Sequence, residues 1–404
     1  GASVGSEASG PDDVTREGDA SPTADADEAA PAASGLASAY ALTSNGALTP
    51  LGRELGEDYN DPRWSPLLDR LGQSEMERFV LHGYSNSGAL EGVSKPRTKD
   101  LDGSSQAASF NQLRYGTGFP SPTVLAQTWD TQLARRYGRA VGMECAMLGI
   151  DGWYAPACNL HRSPVGGRNY EYYSEDPLVS GEMAAQTILG SKETGTFCYL
   201  KHMVLNEQDS YRDSLYTWLT EQSLRELYLE PFRIAVEEGG ATGMMSSYNR
   251  IGAIWTGGSR ALLTEVLRGE WGFRGSVITD YSDHHSYMNA DEMLRAGGSL
   301  YMDGVFRDGS FRFGTDSPNF RACLRRATKD VIYAWLNARA ANLAYNDAAL
   351  QAGTATIDRP LKHRGVSPVL VGISVVDAVA ALCVAVKAHR VLRRRARKKG
   401  HAGE

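Results

Sequence analysis

The sequence predicts an α/β protein built on a TIM-type (β/α)8 barrel over residues 51–346, with a disordered N-terminal tail and a C-terminal transmembrane helix. Three observations carry that expectation. Short apolar runs alternate with stretches of helical period through the middle of the chain. The strand candidates end, one after another, in polar or charged residues. The two ends differ in composition from the middle and from each other.

Residues 1–50 form an acidic, Ala/Ser/Pro-rich tail with very few large apolar side chains in its first part. Such a segment cannot bury enough surface to offset the entropy of ordering, so it reads as a solvated linker. Within residues 51–346 the alternation is regular. The helix-like "DTQLARRYGRAVGMECAMLGI" precedes the strand-like "GWYAPACNL", and "LVSGEMAAQTILGSKETG" precedes "TFCYLKHMV". Then "EQSLRELYLEPFRIAVEEGG" leads to "ATGMMSSYN", "SRALLTEVLRGEWGF" to "GSVITDY", and "ADEMLRAGG" to "SLYMD". Residues 347–365 read as a linker.

The span 366–386, "VSPVLVGISVVDAVAALCVAV", has no Lys or Arg and about the 20 residues that a helix needs to cross a bilayer. Asp377 opposes insertion, at roughly 2.5–3.5 kcal/mol for a carboxylate in mid-span. A dense basic run follows in residues 387–404, which a core helix rarely carries. Apolar span and basic flank together predict a single-pass cell-membrane protein with a cytoplasmic C-terminus and an extracytoplasmic barrel. The chain begins with Gly1 rather than Met and shows no signal peptide, so an export signal is expected upstream.

Several chemistries are disfavoured. A net charge of -6 argues against nucleic acid as a partner. The cysteines lack metal-ligand spacing; Cys145, Cys158 and Cys198 sit among apolar neighbours and Cys383 lies in the span, so buried free thiols are expected. "SPVGGRNYEYYSEDP" has glycines without the strand–GxxxxGK–helix order of a phosphate loop. In "GSVITDYSDHH", Asp283, His284 and His285 lack HxH or HExxH spacing, and adjacent residues on a helix face different ways. No metal and no cofactor is expected, and Asp283 reads as the cap of the next helix.

The strand ends carry the function. They include Asp102 in "KDLDG", His161 and Arg162 in "NLHRS", Lys201 and His202 in "YLKH", Tyr248 and Asn249 in "SSYNR", and Asp280 in "ITDY". A strand-end cap explains any one of them but explains a succession poorly, since a barrel gathers its strand C-termini on one face. Carboxylates (Asp102, Asp280), cations (Arg168, Lys201), an imidazole (His202) and a phenol (Tyr248) around one pocket suit a polyhydroxylated ligand, whose hydroxyls both donate and accept. Asp280, near Lys201 and Arg168, is expected to be rigid and ionised at neutral pH, as a nucleophile must be.

Four stretches, "APACNLHRSPVGGRNYEYYSEDPLVSG", "LKHMVLNEQDSYR", "EQSLRELYLEPFRIAVEEGGATGMMSSYNRIG" and "LRGEWGFRGSVITDY", resemble the N-terminal barrel domain of family-3 glycoside hydrolases, the β-glucosidase family. The resemblance runs in order over residues 64–345. It implies that Asp280 is the catalytic nucleophile and that Asp102 grips the outer hydroxyls of the sugar. Arg168, Lys201 and His202 would bind ring hydroxyls, with Tyr248 beside the nucleophile. Tyr281 stands where many relatives have Trp and would form a stacking wall, with aglycone preference the property in doubt. The "LDG" motif is closer to the β-glucosidase branch than to the β-xylosidase branch.

The implied reaction is retaining hydrolysis of terminal β-D-glucosyl residues through a glycosyl–Asp280 intermediate, with a β-glucoside or oligosaccharide as substrate. Retention needs a second carboxyl roughly 5–5.5 Å away as acid and base. In the β-glucosidase branch it is a Glu of an α/β sandwich domain after the barrel, where this chain has a linker and the apolar span. The acid/base is therefore expected from a sandwich domain upstream, in an inverted domain order, or from another chain, or it is absent. Glu207 and Asp209 are local substitutes to weigh, read first as loop salt-bridge partners. The alternative function is a non-catalytic, membrane-tethered sugar-binding barrel.

Overall fold

The run Phe197–Met203 is buried at every position, as a strand covered on both faces must be. In the computed structural model, which describes residues 48–108, 116–282, 287–303, 313, 316–351 and 387, it forms the middle of a parallel sheet. The chain divides into residues 1–39 and 40–404, and every described residue belongs to the second unit. The strands there are β1 Asp100–Leu101, β2 Gly152–Trp153, β3 Phe197–Met203, β4 Tyr216–Thr217, β5 Gly243–Ser246, β6 Arg250–Ile251, β7 Ile254–Trp255 and β8 Ser276–Ile278.

The order β1-β2-β3-β5-β8 is parallel throughout. Leu300 adds a parallel bridge to Ile278. Tyr301 N donates to Val80 O at 2.8 Å, Gly83 N to Tyr301 O at 2.9 Å, and Asp100 N to Ser85 O at 3.0 Å. The segments around residues 80–85 and 299–302 thereby close the ring from β8 back to β1, giving the barrel-type α/β architecture expected. Strands β4, β6 and β7 make a small separate sheet from the loops after β3 and β5.

Helices cover the ring in the predicted alternation. Helix Thr131–Leu148 starts at Asp130, whose side chain accepts from Leu133 N, and stops at left-handed Gly149. Helix Pro177–Lys192 starts at Asp176 and is buried on most sides, between helix Thr131–Leu148 and helix Glu230–Glu237. The first pair touches backbone to backbone: a Cβ on Gly138 would stand 2.0 Å from Thr187 O. Helix Glu230–Glu237 is preceded by a π-helical stretch, Leu224–Leu229, and Ala261–Glu270 is π-helical as well.

The C-terminal helix Pro318–Gln351 is pinned by a buried carboxylate. Asp330 accepts from Arg268 Nη2 at 2.9 Å, Arg326 Nη1 at 2.7 Å, Ser299 Oγ at 2.9 Å and Tyr59 Oη at 2.5 Å. Sequence boundaries shift at both ends of the barrel. Helix Pro50–Glu57 is capped by Thr49, inside the predicted tail, because Leu48 and Leu51 find buried positions. The last helix runs to Gln351, five residues beyond the predicted barrel end at 346.

Helix Ala290–Ala296 is capped by Asn289, whose side chain accepts from Asp291 N at 2.8 Å and Glu292 N at 3.2 Å. Asp283, His284 and His285 lie outside the described residues, as do residues 1–47 and the span 366–386 with Cys383. Among the described residues no helix is long and apolar enough to cross a membrane. Cys145, Cys158 and Cys198 are buried free thiols, pushed above the usual thiol range by burial.

Candidate active site

Strand direction decides what converges. Asp102 directly follows β1, Lys201 and His202 belong to β3, Tyr248 is two residues past β5, and Asp280 is two residues past β8. Arg168 comes from the loop after β2, at the start of a short turn of helix Asn169–Glu171. These six residues and Tyr281 line one cleft of about 720 Å³.

Asp280 is 9% exposed, and its Oδ1 accepts from Tyr281 N at 2.8 Å. Its Oδ2 is buried 3.8 Å from His202 Nε2. Burial raises the Asp280 pKa above the ordinary carboxylate value, and Arg168, Arg212, Lys201 and the Tyr281 N–H pull it down without cancelling that rise. The expected neighbours Arg168 and Lys201 are present, and desolvation outweighs their pull.

His202 is held well below the usual imidazole range by burial, then by Arg168, Lys201 and Arg212, so the ring is neutral. Its contact with Asp280 is therefore no ion pair. Lys201 Nζ donates to Asp102 Oδ1 at 2.8 Å and lies 3.8 Å from Glu171 Oε2. Burial works upward on Asp102, but the charge and hydrogen bond of Lys201, with the Gly103 N–H and Arg168, leave its pKa lowered. The Asp102 side chain is 48% exposed, so it stands at the cleft wall facing solvent as an ionised acceptor. Tyr248 is pushed well above the ordinary phenol value by burial and by the charge of Asp280, which keeps its proton in place.

Some strand-end residues stay outside the cleft lining. His161 Nε2 contacts Tyr172 O at 3.1 Å, and Asn249 is buried with Nδ2 donating to Val204 O at 2.9 Å. Arg162 borders a neighbouring pocket of about 310 Å³. Conversely, residues not singled out for the site do line the cleft. Glu171 is buried and bonds Arg168 Nε, setting the guanidinium over the site. Arg212 stacks on Tyr248, 4.5 Å from the ring centroid, and Tyr84 packs against Tyr281 at 5.4 Å. Glu171 and Arg212 both fall inside the quoted motifs, but only tertiary structure distinguishes them from their neighbours.

The local substitutes for an acid/base divide. Asp209 lines the cleft and pairs with Arg212 at 3.0 Å, as a loop salt bridge. Glu207 forms no ion pair with the described residues, which corrects the salt-bridge reading. It is buried away from the cleft, accepts from Leu160 N at 3.3 Å and Asn159 Nδ2 at 3.4 Å, and is raised by burial to about 7. Among the described cleft-lining carboxylates, Asp102, Glu171 and Asp209 are each paired with a cation. Asp100 also touches the cleft, pushed up to about 7 by burial and then by Asp151. No group of three potential metal ligands occurs among the described residues.

Residues 106–302 match the glycosyl hydrolase family 3 N terminal domain. β-Glucosidase B of Emericella nidulans is 37% identical over 217 residues, covering 54% of this chain and 25% of the relative. A β-glucosidase of Rhizobium radiobacter is 39% identical over 223 residues, covering 54% of this chain and 27% of the relative. β-Glucosidase 3B of Thermotoga neapolitana in complex with α-D-glucose aligns with a TM-score of 0.62 at 28% identity, over 72% of this chain and 46% of that one. The chain thus spans about a quarter of the length of these curated relatives and under half of the solved one. Its central part, residues 106–302, is similar to the glycosyl hydrolase family 3 N-terminal domain and to the corresponding part of β-glucosidases.

Proposed function

We propose that this barrel is the nucleophile-bearing part of a retaining exo-β-glucosidase. The observation that carries the reading is Asp280, a buried carboxylate at the mouth of a parallel barrel, beside a neutral His202 and among Arg168, Arg212 and Lys201. Ionised Asp280 attacks the anomeric carbon, the bond to the aglycone oxygen breaks, and that oxygen takes a proton from a general acid. A water then attacks the glycosyl–Asp280 ester from the opposite face, loses a proton to the same group acting as base, and releases the sugar with retained configuration. Asp102 and Lys201 supply an acceptor and a donor for sugar hydroxyls, and Tyr281 with Tyr84 supplies an aromatic wall. The glucose bound in the Thermotoga neapolitana relative supports a glucose-like sugar here.

The acid/base belongs, in this reading, to an α/β sandwich domain upstream or in another chain. The span 366–386 and its basic flank would tether the barrel to the outer side of a cell membrane. A tethered sugar-binding barrel without turnover is the second reading, favoured by the cation pairing of Asp102, Glu171 and Asp209 in the cleft. Incubation with a 2-deoxy-2-fluoro β-glucoside bearing a good leaving group, followed by peptide mass spectrometry, separates the two. A fluoroglucosyl adduct on Asp280 is expected; a folded chain that binds glucose and remains unlabelled would overturn the enzymatic reading.

A further inference from the structure

The His202 ring is gripped from behind by one residue that the mechanism above does not use. Asn159 is 1% exposed and follows the bridge between Ala157 and Lys201, which brings it alongside β3. Its Oδ1 accepts from His202 N at 2.9 Å, and its Nδ2 donates to His202 O at 3.0 Å. Two backbone bonds of opposite polarity leave the amide a single orientation. The same Oδ1 lies 3.3 Å from His202 Nδ1. An amide oxygen has no hydrogen to give, so this buried contact is attractive only when Nδ1 carries the proton.

We propose that Asn159 is a positioning residue that fixes His202 as the Nδ1–H tautomer, leaving Nε2 as a bare acceptor on the cleft wall. The opposite tautomer would set two lone pairs against each other at 3.3 Å in a buried site. It would gain no hydrogen bond in exchange, because Asp280 Oδ2 is 3.8 Å from Nε2. Burial and the nearby cations keep the ring neutral, which preserves the distinction between its nitrogens. Glu207 Oε1, 3.4 Å from Asn159 Nδ2, steadies the amide from the far side.

The consequence for the substrate rests on the glycosidase reading. A sugar hydroxyl meeting His202 must donate to Nε2, while the neighbouring Lys201 ammonium only donates. The pair therefore selects a free hydroxyl, which can do both, over a deoxy or fluoro position or an ether.

The test uses the full chain with histidine labelled in its ring nitrogens, His202 being assigned by loss of its signals in His202→Gln. Two-bond nitrogen–proton correlation spectra should give a protonated Nδ1 and a bare Nε2. In Asn159→Leu, and in the smaller Asn159→Ala, the His202 pattern should move toward the Nε2–H form while the other histidines keep theirs. A protonated Nε2 in the native chain overturns the proposal. So does an unchanged His202 pattern in a folded Asn159 variant. If neither variant folds, the native spectrum alone decides the tautomer. Because the spectrum needs no turnover, failure of the glycosidase reading and failure of this assignment are separately visible.

Discussion

At the scale of single residues, Asp280 divides what sequence can and cannot reveal. Its position after an apolar run, in the motif "GSVITDY", marks it as a strand-end carboxylate. The sign of its pKa shift is not written there, because desolvation depends on everything packed around the group. The cations were legible as neighbours, but Arg212 was not, since its approach to Tyr248 comes from a loop ten residues beyond His202. The raised Asp280 pKa sets an expectation for pH dependence. Attack needs the ionised form, so the acid limb of kcat/KM should lie above the ordinary carboxylate range. Arg212 is one of the groups pulling that pKa down. Arg212→Gln should therefore move the acid limb to higher pH. A dinitrophenyl β-glucoside is the substrate for this profile, since its leaving group needs no proton; a limb that stays put or falls would contradict the electrostatic assignment.

At the scale of elements, the long helices and β3 were readable because caps, period and continuous burial agreed, as Asp176 and Asp130 illustrate at two N-termini. The ring closure around residues 80–85 was not readable: single backbone bonds leave no periodic pattern in the sequence. The anchoring of the C-terminal helix was equally hidden. Asp330→Ala would leave Arg268, already desolvated, without its buried partner, at a cost of about 3–5 kcal/mol. Urea denaturation should show that loss as a lowered midpoint. Glu207 makes the second prediction at this scale, with its pKa raised by burial from 4.5 to about 7. Below the lower value folded and unfolded chains both hold the proton. Between the two values only the folded chain keeps it, so its contribution to stability falls as pH rises and is gone above about 7. That contribution is roughly 3 kcal/mol. Glu207→Gln removes the titration, so its stability relative to the native chain should grow from acid to neutral pH; parallel profiles would refute the assignment.

At the scale of the whole molecule, the barrel gathers the proposed nucleophile Asp280 and the proposed hydroxyl-binding groups in one cleft, while the other described carboxylates there are mostly committed elsewhere. Asp102, Glu171 and Asp209 are paired with cations, and Asp100 is buried, raised by desolvation and by the charge of Asp151 against the pull of Lys95. Asp100 has an elevated pKa that would suit an acid, but only 1% of it is exposed. If no other group protonates the aglycone, the rate of the first step must follow the leaving group. The isolated chain should then release dinitrophenol from a β-glucoside rapidly and cleave an alkyl β-glucoside about 10²–10⁴-fold less well than a complete enzyme would. The second step lacks its base as well, so dinitrophenol should appear as a burst close to one equivalent per chain, followed by slow turnover. Azide needs no base to attack the glycosyl–Asp280 ester, and it should accelerate the slow phase and yield β-glucosyl azide. Rapid cleavage of the alkyl glucoside, with no burst and no response to azide, would mean that this chain supplies the second carboxyl from residues outside those described.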